Sequence, residues 1–272
     1  MLAVSAIVCG CLQAETAITV MSFNVRYATA LDGKNSWERR QDVFADVIRQ
    51  CNPDILGVQE CLDTQAQFIA REFPEYRWVG TEREADGKGE MSAIFYRKDI
   101  LKPIETGNFW LSETPDVPGS KSWGSVCTRM ATWIRFRHVP SGRFFHMFNT
   151  HFDHGSEEAR QHSAKLLIER LPKADAAVII TGDFNAPAEE SPAWKTFAEA
   201  GLTDAWVAAT EKAGPEVTFG GFKPPVEGKK DRIDWILCRG GFKAVRCETV
   251  TFNRDGEYPS DHYPVLARLL LP

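Results

Sequence analysis

Apolar and polar residues along this chain switch between two periods, and the switching lays out the elements. Residues 17–25, AITVMSFNV, alternate and carry β-branched side chains before leaving on a polar Asn24, so they predict a strand. Residues 36–50, SWERRQDVFADVIRQ, place Val43, Phe44, Val47 and Ile48 on one helical face, with Ser36 in the N-cap position. By the same reading, further strands fall at 54–60, 91–99, 131–138, 143–153, 176–185, 232–238, 244–252 and 263–271. Further helices fall at 63–73, 156–171 and 191–200; Ser156 caps the second, with acids in its first turn, and Pro192 opens the third. Residues 112–120 and 220–231 are rich in Pro and Gly and read as loops. There is no repeat and no linker with a composition shift, so one α/β domain over residues 16–272 is expected. Too many strands follow one another without a helix for a doubly wound sheet. Two mixed sheets packed together with helices outside fit better.

Composition supports this picture. The chain has 272 residues, with eight Trp and 17 Phe, enough for a sizeable core. Its net charge of −5, with no long Lys/Arg run, argues mildly against a duplex-DNA binder, although a local basic patch can sit inside a negative total. The first 15 residues differ from the rest: they are apolar from Leu2 to Leu12, with small residues near Ala14. They resemble a secretory signal without its charged start, and Val8–Cys11 resembles a lipoprotein cleavage box. A secreted or periplasmic location is therefore expected. That run is too short to span a bilayer, and no longer apolar run follows it. Beyond it lie five irregularly spaced cysteines, which form neither a disulfide framework nor a zinc motif. Cys238 and Cys247 flank a Gly-Gly turn and could pair in an oxidising compartment; the alternative is packing as small hydrophobes.

The chemistry collects at strand ends. Apolar runs stop on Asn24, Glu60, His151, Asp183 with Asn185, Asp234, and Asp261 with His262. Each has a plain structural explanation alone, as a turn residue, a cap or an ion-pair partner. As a set at one sheet rim they would converge on a cleft. The acids and amide suit a hard divalent cation. Without HExxH, a P-loop, GxGxxG or GxSxG, zinc hydrolase, nucleotide-binding and serine-hydrolase chemistry lack support.

Six stretches, MSFNVR, GVQE, NTHFDH, TGDFN, RIDWIL and SDHYPV, occur in this order from Met21 to near the C-terminus. Together they resemble the endonuclease/exonuclease/phosphatase superfamily, the deoxyribonuclease I-like proteins. The resemblance implies a four-layered α/β sandwich, two packed mixed β-sheets flanked by helices. It also implies Mg²⁺, with Mn²⁺ or Ca²⁺ as alternatives, and a phosphate-ester substrate. It casts Glu60, Asn24 and Asp261 at the metal. His262 would stand at the scissile phosphate, oriented by Asp234; Asp183 would align or deprotonate the water, and Asn185 would hold the phosphate. His151 would serve the leaving oxygen with Glu90 as its partner. Arg129 would bind phosphate, and His154, Arg160 and Asp153 would line the pocket. Trp110 and Trp123 could wall it. The expected activity is metal-assisted hydrolysis of a small or lipid-derived phosphate ester by a monomer. The alternative is an extracellular nuclease acting on DNA or RNA.

Overall fold

The computed structural model describes residues 16–272; the expected export signal and lipoprotein box lie outside the described residues. The first half of the chain runs through β1 (Ala17–Asn24), α1 (Trp37–Cys51), β2 (Ile55–Cys61), α2 (Asp63–Glu72), β3 (Tyr76–Val79), β4 (Met91–Arg97) and β5 (Leu101–Trp110). It continues through β6 (Met130–His138), β7 (Phe144–His151), α3 (Glu157–Glu169), β8 (Val178–Asp183) and α4 (Pro192–Glu199). The last part holds β9 (Thr203–Asp204), α5 (Ala205–Ala208), β10 (Glu211–Ala213), β11 (Asp234–Arg239), β12 (Lys243–Thr249) and β13 (Val265–Leu270).

The strands form two mixed sheets, ordered β10-β12-β13-β1-β2-β4-β3 and β5-β6-β7-β8-β11-β9. Strand alternation then builds four layers. On β1, Ile18 and Val20 meet Phe145, Met147, Ile179 and Ile236 between the sheets. Met21 and Phe23 on its other face pack with Phe44 and Val47 of α1 and Ile69 of α2. The second sheet turns Phe148, Ile180 and Trp235 toward Leu167 of α3 and Phe197 of α4. Each such side chain, fully buried, contributes about 1.5–3 kcal/mol.

Ser156 accepts from the Ala159 amide and Ser191 from the Trp194 amide, so both caps form. Ser36 stands at the start of α1 without a side-chain capping bond. The suggested Cys238–Cys247 pair is not present. All five cysteines among the described residues are free, and these two lie buried on different sheets, where burial pushes both thiols up to about 12. No helix of the described residues is long and apolar enough to cross a membrane.

Candidate active site

Three neighbouring strands of the second sheet end side by side. His151 stands opposite Asp183 across the parallel β7–β8 ladder, and Asp183 opposite Asp234 across the antiparallel β8–β11 ladder. On each strand the face toward the other sheet changes character along its length. On β7 it runs Phe145, Met147, Asn149, His151; on β8, Ile179, Thr181, Asp183; on β1 of the facing sheet, Ile18, Val20, Ser22, Asn24. An apolar tier thus gives way to a polar tier and then to a tier of candidate site residues at one rim.

Glu60 reaches that rim through an irregularity. On β2, Leu56, Val58 and Cys61 all pack on the helix side, so strict alternation is broken between Val58 and Cys61. The β2–β4 register shifts there, and Glu60 sits at φ 57°. A bulge of this kind re-aims one side chain. The result is that Glu60 Oε1 accepts from Asn24 Nδ2 at 3.1 Å and Oε2 from the Tyr27 amide at 3.2 Å. Asn24 Nδ2 also donates to Asp183 Oδ2 at 2.9 Å, while its Oδ1 accepts from the Arg26 amide at 3.0 Å. Asn24 therefore bridges an acid of one sheet to an acid of the other.

Around Asp183 stand two histidines in opposite states. Its Oδ2 lies 3.3 Å from His151 Nε2 and 3.7 Å from His262 Nε2. His262 Nδ1 meets Asp234 Oδ2 at 2.9 Å. Burial works against a charge on His262, but Asp234 and then Asp183 outweigh it and hold its pKa well above 6.5. Burial, followed by the positive charges of Arg129 and Arg83, holds His151 well below 6.5 and neutral. Asp183 is raised to about 7, first by burial and then by the like charge of Asp234. Asp261 is raised by burial.

The cleft, about 580 Å³, is lined by Glu60, Glu90, Arg129, His151, His154, Asp183, Asn185, Asp261 and His262 among the expected residues. Several of them differ in detail from the expectation. Glu90 is not the partner of His151: its carboxylate is taken by Arg83 Nη1 at 2.5 Å, and His151 Nδ1 has no hydrogen-bond partner. Asn185 commits its amide nitrogen to the Phe152 carbonyl and to His151 Nε2, both at 3.0 Å, so it orients His151 instead of presenting a free N–H. Arg129 is 5% exposed, approaches His154 Nδ1 at 3.2 Å, faces Asp153 Oδ2 from Nε at 3.9 Å, and makes no hydrogen bond through Nε or Nη1. Buried donors left without a hydrogen bond cost stability. Arg160 instead donates to the backbone oxygens of Asp153 and His154. Asp153 is buried and organises its loop, accepting from Ser125 Oγ and the Cys127, Gly155 and Ser156 amides. Neither expected tryptophan lines the cleft. Trp110 is buried and donates to the Arg83 carbonyl, and Trp123 stacks on His162.

Arg26, Arg83, Tyr27, Cys127 and Phe219 also line the cleft and were not foreseen. Arg26 stands within MSFNVR and faces Glu60 at 4.0 Å and Asp261 at 3.7 Å. Phe219 packs edge-on against His262, ring centroids 5.0 Å apart. Arg83 and Phe219 lie in loops, where no periodicity points to them.

Acidic and histidine groups here could hold a metal. Asp183, Asp234 and His262 come together closely, as do Cys127, Asp153 and His154. In the second group Asp153 already accepts four hydrogen bonds, so little of it is left for an ion. In the first, Asp234 is engaged with His262. The oxygen donors of Glu60, Asp261 and Asp183 suit a hard cation.

The Endonuclease/Exonuclease/phosphatase family model matches residues 21–262, and the chain belongs to that family. An endonuclease/exonuclease/phosphatase from Bacteroides vulgatus superposes with a TM-score of 0.89 at 36% identity, covering 95% of this chain and 100% of that one. A mannosyl-6-phosphatase from Bacteroides thetaiotaomicron superposes with a TM-score of 0.87 at 34% identity, covering 93% and 100%. A sphingomyelinase from Mycobacterium tuberculosis is 30% identical over 146 residues, 47% of this chain and 28% of its own length. The chain spans less than two thirds of the curated relatives it matches. That family joins endonucleases, exonucleases and phosphatases.

Proposed function

We propose that the protein is a divalent-metal-dependent phosphoesterase that hydrolyses a phosphate ester of a small or lipid-derived alcohol by attack of water on phosphorus. One observation carries this reading. Asp183 Oδ2 is within 3.7 Å of both histidines and is bridged by Asn24 to Glu60, so proton-handling and metal-binding groups meet at one carboxylate oxygen. Glu60 and Asp261 would hold the ion, Mg²⁺ or a similar hard cation, with Asn24 fixing the acids. When bound, it would neutralise charge on the phosphoryl oxygens. Asp183 takes the proton of the water whose oxygen bonds to phosphorus. The phosphorus–ester oxygen bond breaks, and the alcohol leaves with a proton drawn from the cleft. His262, kept charged by Asp234, is the proton-bearing group there. Arg129 lines the cleft and would set its positive charge near the phosphoryl oxygens.

The mannosyl-6-phosphatase likeness supports a small phosphorylated substrate, and the sphingomyelinase likeness a lipid-derived one. The apolar segment before residue 16 supports export as part of the same reading. The nuclease alternative has the three cleft arginines in its favour. However, Arg26 and Arg83 are each paired with a carboxylate, so the three do not form a basic stripe. The test is a hydrolysis screen with and without Mg²⁺ on a nitrophenyl phosphate monoester, its diester, sugar phosphates, a phosphocholine lipid and plasmid DNA. Turnover of a small ester only with metal is expected. Plasmid cleavage alone, with binding that falls steeply with salt, would favour the nuclease.

A further inference from the structure

The bulge that aims Glu60 is held from the opposite sheet. Asn149, on β7 of the second sheet, donates from Nδ2 to the carbonyls of Val58 at 2.8 Å and Ala93 at 2.9 Å. These two residues face each other on β2 and β4 at the last regular rung before the register shifts. Asn149 Oδ1 accepts from Gln59 Nε2 at 2.7 Å and Thr181 Oγ1 at 2.9 Å. All of its hydrogen-bonding capacity is thus used, in a place where nothing else replaces it. A direct side-chain link across two packed sheets needs room, and Gly57 provides it: a Cβ there would overlap Thr181 Oγ1 and lie 2.8 Å from Asn149 Oδ1.

The partners have a common placement. Asn149 precedes His151 by two residues and Thr181 precedes Asp183 by two, while Gln59 directly precedes Glu60. Each lies immediately beneath a functional side chain. We propose that Asn149, supported by Thr181, is the positioning residue for Glu60: it pins the bulge and fixes the metal acid of one sheet against the histidine and acid of the other. This rests on Glu60 being a metal ligand. Outer partners of a metal ligand typically govern affinity by about 10–100-fold.

The test is Mn²⁺ binding measured by electron paramagnetic resonance on purified protein, with kcat measured at saturating Mn²⁺. Asn149→Ala is expected to weaken Mn²⁺ binding about tenfold or more. Thr181→Val is expected to weaken it by a smaller factor, with kcat at saturating metal changed much less than affinity in both. Should Asn149→Ala not fold, Thr181→Val decides alone. A purely structural role would lower the melting temperature and leave Mn²⁺ affinity as in the wild type, which overturns the proposal. Glu60→Gln separates the two claims: wild-type Mn²⁺ affinity in that variant overturns the ligand reading itself. Weakened affinity there, with unchanged affinity in the other two, overturns only the positioning role.

Discussion

His262 and Asp234, 28 residues apart in the chain, meet at 2.9 Å between Nδ1 and Oδ2 and are both buried. That contact keeps a proton on His262 despite burial. His151, on the other side of Asp183, has no partner on Nδ1, and burial with the charges of Arg129 and Arg83 holds it neutral. The two rings therefore link stability to pH with opposite signs. His262 has a folded pKa above its unfolded value near 6.5. Its contribution is fully present below pH 6.5 and is lost as pH rises through the folded value. The His151 folded pKa is depressed, so its contribution is present above pH 6.5 and is lost as pH falls through the folded value. NMR titration of metal-free protein is expected to place the two resonances on opposite sides of 6.5. Asp234→Asn should lower the His262 midpoint and leave His151 low. A His262 midpoint that does not move on that substitution would remove Asp234 as its cause.

Asp183→Asn is expected to leave the fold intact and lower turnover on the order of 10²–10⁴-fold, the usual worth of a proton-transfer group. Circular dichroism with steady-state kinetics checks both halves. A well-folded variant with near-normal turnover takes Asp183 out of the mechanism. His262→Ala is expected to fall by a similar factor.

Glu60→Ala should raise the metal concentration needed for half-maximal activity, while chelation should abolish activity in the wild type and added Mg²⁺ restore it. An unchanged metal titration in the variant would remove Glu60 from the metal site.

Much of the fold was legible in the sequence, and the misses share a cause. All nine predicted strands are interior to the two sheets. The four unpredicted ones, β3, β5, β9 and β10, are the sheet edges. An interior strand is flanked on both sides and reads as a clear apolar run. β5 instead carries Pro103 and Gly107 and mixes exposed with buried positions, which an edge tolerates. The convergence of the candidate residues at one rim was legible because they end such runs. The Glu60 bulge was not, because alternation alone puts that side chain on the helix face. Nor was the Arg83–Glu90 pair, since it depends on how a loop folds back.

Gly57→Ala should destabilise the protein by about 1–3 kcal/mol, the usual cost of forcing volume into a packed site. Here the added methyl meets Thr181 and Asn149. Denaturant unfolding measures this, and an unchanged midpoint would show that the sheets are not closely apposed there.

Attack of water on phosphorus in a metal-dependent step leaves an isotopic record. The measurement is hydrolysis of the best small ester from the screen in oxygen-18 water, with metal-stripped protein and with Mg²⁺ restored. Turnover only with Mg²⁺ and one solvent oxygen incorporated into the phosphate product are expected. Label in the alcohol, or equal turnover in the stripped protein, would rule out metal-dependent attack on phosphorus.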